Sequence, residues 1–196
     1  DVIVITEDKE LKIKEKEPNL EISVFTLERF KEAIIKNPAM YYQAVQEAEP
    51  LINAHILEEL KSIKIESKNF KSCIIEAKEH LKSNKELLEL DKLYSEFVMS
   101  YSIVYSAILR LRAIFIIKCL LNKEKFSNKS FKKWLINKGI KEKEFDDFYS
   151  AYGLVRDGKN TRNVKIKISS AQNLLGSLEK EIKSIEAEIW QTGRKG

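Results

Sequence analysis

The stretch from residue 92 to 122 constrains the fold more than any other part of this 196-residue chain. Tyr94, Phe97, Tyr101, Val104, Ile108, Leu111, Phe115 and Leu121 place apolar side chains in almost every direction around a helical axis. A helix apolar on all sides must be enclosed by other helices of its chain or by a second subunit. A membrane span would also suit such hydrophobicity, but Arg110, Arg112 and Lys118 lie within residues 97–121, and a central arginine pair is costly in lipid. The stretch therefore reads as the buried helix of a bundle, with no membrane. A homodimer packed through residues 92–122 is expected beside the alternative of a central helix in a monomer. The opening Asp1-Val2-Ile3-Val4-Ile5 shows no charged leader, which together with the missing span predicts a cytoplasmic protein.

The rest of the chain falls into two parts of opposite charge. Residues 1–66 hold nine basic and fourteen acidic side chains, a net of −5, whereas residues 67–196 hold 26 and 16, a net of +10. Such asymmetry suggests two units with different partners, although a solvated Lys/Glu surface has the same signature. Abundant Lys and Glu with only four Gln resembles the composition of thermophile proteins. Cys73 and Cys119 lack CxxC spacing and read as small core residues of a reducing compartment. His55 and His80 alone exclude a multi-histidine metal site.

Periodicity predicts an α+β chain that is mostly helical. Val2–Thr6 is a β-branched run, as in a strand covered on both faces, and residues 20–25 alternate apolar and polar. The charged residues 7–19 between them read as loop, with a short strand possible at Leu11-Lys12-Ile13. Thr26 is placed to cap a helix over 27–36, Asn37-Pro38 separates it from a second helix to about Glu47, and an edge strand is plausible at 50–53. From residue 56 the pattern is helical: a run near 56–63, a helix at 68–83 capped by Ser67, a link at 84–91, and then the 92–122 element. Further helices are expected from Ser127 or Asn128 to Lys138-Gly139, over 142–156 before the Asp157-Gly158 turn, and over 169–190 after an extended patch at 164–168. The expected division is an α/β unit at 1–55 and a helical unit at 56–196.

Chemistry could begin at the two opening strands. Asp1 precedes the first and Glu21 begins the second, so if the strands pair side by side the carboxylates lie together at one sheet edge. Mg2+ prefers hard oxygen ligands and is completed by substrate phosphates and water. A solvated acid at each strand end is the plainer alternative. Asp1-Val-Ile-Val-Ile-Thr-Glu-Asp, followed by Leu-Glu-Ile-Ser-Val-Phe and Thr-Leu-Glu-Arg-Phe, resembles the minimal polymerase-β-like nucleotidyltransferases over residues 1–53. By that resemblance Asp1 looks like the second aspartate of the family's Asp-x-Asp pair and Glu21 like its third carboxylate, both of them catalytic metal ligands. The implied chemistry is Mg2+-dependent transfer of a nucleoside monophosphate from an NTP. The family's Gly-Ser motif and first aspartate do not occur here, and the resemblance implies that they precede Asp1.

Residues 67–190 carry a second resemblance. A long apolar helix, then Tyr149-Ser-Ala-Tyr152-Gly-Leu-Val-Arg156-Asp157-Gly-Lys159, then an amphipathic helix, looks like the HEPN family. Members with RNase activity carry a histidine a few residues after the arginine. None occurs between Arg156 and Arg162, which disfavours RNase catalysis. A nucleotide- or phosphate-binding role for Arg156, Lys159 and Arg162 remains, against the alternative that Arg156 pairs with Asp146 or Asp157. Nine lysines within 118–143, interleaved with Phe126, Phe131 and Trp134, could form a nucleic-acid surface. Phe131, Trp134 and Leu135 share one helical face, however, and so also suit a core. The competing function is a non-enzymatic module that binds RNA or a protein, as in a toxin–antitoxin pair.

Overall fold

A computed structural model describes residues 2–7 and 22–192. Two strands, β1 (Val2–Thr6) and β2 (Ile22–Thr26), lead into α1 (Leu27–Lys36), α2 (Pro38–Glu47) and α3 (Ala54–Lys61). A 3-10 turn (Ser67–Phe70) then opens α4 (Lys71–Tyr94), which is followed by α5 (Ser102–Asn122), α6 (Asn128–Asn137), α7 (Glu142–Arg156) and α8 (Ile168–Thr192). The chain is thus mostly helical with a small parallel sheet, as an α+β reading requires. Among the described residues no helix is long and apolar enough to cross a membrane.

The enclosure that α5 demands is supplied within the chain. Ile103, Ala107, Ile108, Leu111, Ile114 and Ile117 are fully buried, and α2, α4, α7 and α8 pack around them. Two polar devices fix how these helices lie. Asn84 Nδ2 on α4 donates to Ser106 Oγ on α5 at 3.0 Å, with both residues buried. Glu181 on α8 receives Lys118 of α5 at 2.5 Å and Lys138 at 2.7 Å. An unmade buried hydrogen bond costs about 1–3 kcal/mol, so each contact penalises alternative registers of these helices.

The helix boundaries differ from the periodicity at one place. Residues 68–83 and the expected link at 84–91 form one continuous helix, and the single element expected at 92–122 is broken at 95–101. The cause is local competition for backbone groups. Asp91 Oδ2 accepts from the Met99 and Ser100 amides at 2.8 Å each, while its Oδ1 accepts from Ser100 Oγ at 2.9 Å. Ser95 Oγ takes the Phe97 amide, and Val98 N–H donates to Ile166 O at 2.8 Å. The extended patch at 164–168 serves as the other side of this exchange, bridging Phe97 to Lys167. Elsewhere the cap residues act as expected. Thr26 Oγ1 accepts from the Arg29 amide, Ser127 and Ser130 form a reciprocal capping box, and Gly139 follows α6 at a φ of +94°. Glu66, not Ser67, caps the 3-10 turn with Asn69. Residues 50–53 form no strand, and Leu51 and Ile52 are exposed there.

A second, smaller core joins Phe30, Ile34, Val45 and Leu60, with Ile5, Phe25 and Tyr41 packed against it. Phe25, Phe30 and Tyr41 meet with ring centroids 5.0–5.9 Å apart. Phe131 and Leu135 are fully buried in the larger core and Trp134 packs on it, so the aromatic face of α6 is core and not a stacking surface. Cys73 and Cys119 are free thiols.

Candidate functional site

The sheet edge comes first. β1 and β2 run parallel with Val2 opposite Ile22, Val4 opposite Val24 and Thr6 opposite Thr26. The strands are half-buried and Ile3 is exposed, so β1 is not covered on both faces as its unbroken β-branched run suggests. Asp1 and Glu21 lie outside the described residues, as does the possible strand at 11–13. In sequence each acid immediately precedes a member of the first register pair, Val2 and Ile22. Among the described residues no three His, Cys, Asp or Glu side chains converge in a metal-holding group.

The basic residues at the end of α7 form an exposed cluster. Arg156 Nε donates to Asp157 Oδ1 at 2.8 Å, and Lys159 Nζ lies 3.5 Å from Asp157 Oδ2. These contacts, Arg156 foremost, hold the Asp157 carboxyl below its ordinary range and raise Arg156 in turn. The turn reverses at Gly158, φ +64°, and the Arg162 amide donates to Asn160 Oδ1 at 2.8 Å. Arg156 and Lys159 are thereby brought together on one carboxylate, whereas Arg162 has no ion pair among the described residues.

One turn back along α7 lies a group that sequence reasoning missed. Arg112 of α5 donates from Nη1 to Tyr152 Oη at 3.3 Å and sits over the Phe126 ring at 5.2 Å. Its Nε is buried with no hydrogen-bond partner, and no carboxylate pairs with it among the described residues. Arg110, by contrast, donates to Glu76 at 2.7 Å. Tyr105 stacks on Tyr152 at 5.3 Å, Tyr149 meets Tyr152 at 5.6 Å, and Arg156 lies 6.0 Å from the Tyr152 ring. Tyr105, Phe126 and Tyr149 are part-exposed. An uncompensated guanidinium beside aromatic rings suits a phosphate that carries stacked bases. Its sequence signal is no more than an arginine in an otherwise apolar helix.

No family model, characterised protein or solved structure matches this chain.

Proposed function

We propose that this chain is part of a nucleotidyltransferase that moves a nucleoside monophosphate from an NTP to an acceptor, with Mg2+ bound by Asp1 and Glu21. The reading rests on the in-step parallel pairing of β1 and β2, because Val2 faces Ile22 and the two acids are their immediate predecessors in the chain. A register slipped by one residue would set side chains of opposite faces against each other. Bound there, Mg2+ would neutralise the triphosphate and supply Lewis-acid assistance, with substrate oxygens completing its shell. The acceptor oxygen forms a bond to the α-phosphorus as the bond to the β-phosphate oxygen breaks and pyrophosphate leaves. The full-length protein carrying this chain, given Mg2+ and α-phosphate-labelled NTPs, should transfer label, and Glu21→Ala should abolish transfer without changing helix content. Transfer unaffected by Glu21→Ala would reject the assignment.

Arg112 favours a second reading, in which the helical part binds RNA as the acceptor or as a non-enzymatic module. Phosphate contacts weaken steeply with salt, so RNA retention should fall with ionic strength and fall further in Arg112→Met. The same substitution should raise the unfolding midpoint, because it removes an unpartnered buried N–H. A self-pairing role fits the other end of the bundle. Since α5 is enclosed by its own chain, a second copy would dock on the exposed apolar row of Leu90, Leu93, Tyr94 and Met99.

A further inference from the structure

A cleft of about 350 Å3 opens between α2, the 62–65 segment and the C-terminal end of α5. Its apolar wall includes Phe70, Leu120, Ile65 and Tyr42, and Tyr42 Oη donates to the Lys61 carbonyl at 3.3 Å. Lys61, Lys64 and Lys123 line the same cleft, and no carboxylate does. None of the three ammonium groups has an ion pair among the described residues. Glu59 is paired with Lys31, and Glu66 is paired with Lys68 and feels Lys64 only at longer range. The Lys64 and Ile65 amides also lack hydrogen-bond partners among the described residues. Three lysines without an ion pair beside an apolar wall suit a polyanion with an apolar body.

Lys123 adds an independent observation. It follows α5 in the left-handed region at a φ of +57°, a position that glycine fills without strain. A lysine held there puts an ammonium on the cleft at a conformational cost.

We propose that this cleft binds a di- or triphosphate carried on an apolar or ring body. The proposal uses none of the residues of the transferase reading and does not depend on it. Ile65 packs against both hydrophobic cores, so a ligand seated on it would touch the joint between the sheet-bearing part and the bundle.

Calorimetric titration of the full-length protein in EDTA tests the idea with two probes, ATP and farnesyl diphosphate, which separate a nucleotide ring from an isoprenoid body. One of the two should bind, and Lys61→Gln/Lys64→Gln should weaken it by roughly tenfold or more, the loss expected for removing charge-assisted contacts. Lys123→Gly should weaken binding while raising the unfolding midpoint, a pair of changes that loss of fold could not produce. Glu21→Ala should bind the probe unchanged, which distinguishes this cleft from the sheet edge. Binding of neither probe, or binding indifferent to the lysine substitutions, would overturn the proposal.

Discussion

Glu181 is only 3% exposed, yet it is charged, and its two lysine partners explain how. Burial alone would raise its carboxyl, but hydrogen bonds from Lys118 and Lys138 outweigh burial and hold it below its ordinary 4.5. Because the folded value is the lower one, this group favours the fold above about pH 4.5 and loses that contribution as pH falls through the folded value. Glu179, on the surface of the same helix, is lowered to about 2 by Lys85 and Lys183 and acts in the same direction. Urea unfolding should therefore show lower stability at pH 3 than at pH 7. Glu181→Gln should cost about 3 kcal/mol at pH 7, since it strands part-buried Lys118 without its counter-charge, and should flatten the pH dependence. A cost indistinguishable from zero would show the triad to be ornamental. Cys73 illustrates what single residues do reveal in sequence. It was legible as a small core thiol, and burial, with Glu76 adding and Arg110 opposing, pushes it up to about 11, far from nucleophilic use. Arg112 was not legible, because no motif surrounds it and its significance lies in the partner it lacks.

At the scale of elements, the break between α4 and α5 shows where periodicity stops informing. Residues 95–101 are apolar enough to read as helix, and 84–91 polar enough to read as a link, yet the structure reverses both. Asn84 is polar but buried because Ser106 receives it, which no one-dimensional pattern displays. The break depends on Asp91, a single carboxylate that satisfies three donors across nine residues of sequence. Asp91→Ala should cost about 1–3 kcal/mol by urea unfolding, the penalty for orphaning such donors. It should also speed amide exchange at Met99 and Ser100 selectively; uniform exchange would argue against the capping role. The caps at Thr26, Ser127 and Gly139 were legible because their chemistry is local, set by neighbours three or four residues away.

At the scale of the molecule, the two opening strands and the bundle around α5 were legible, while the pairing of the strands was only a condition of the reading. The surface left for a partner was not legible. An all-apolar helix left open whether its own chain or a second copy completes the core; the core is completed within the chain, and one row of exposed apolar residues lies at the end of α4. Leu93 and Tyr94 are 73% and 79% exposed. If a second copy uses that end, light scattering should report a dimer that Leu93→Lys/Tyr94→Lys converts to a monomer of unchanged helicity. A monomeric parent chain would reject the surface. The register that sets Val2 opposite Ile22 could not be read from composition at all, since it depends on which residue of one strand faces which of the other.

Ile65 packs against both hydrophobic clusters at once, and Ala39 carries α2 into the larger one. A shared rivet of this kind means that neither half can loosen without prising at its neighbour. Calorimetry should accordingly show a single heat-absorption peak, and trimming the rivet with Ile65→Ala should split it into two.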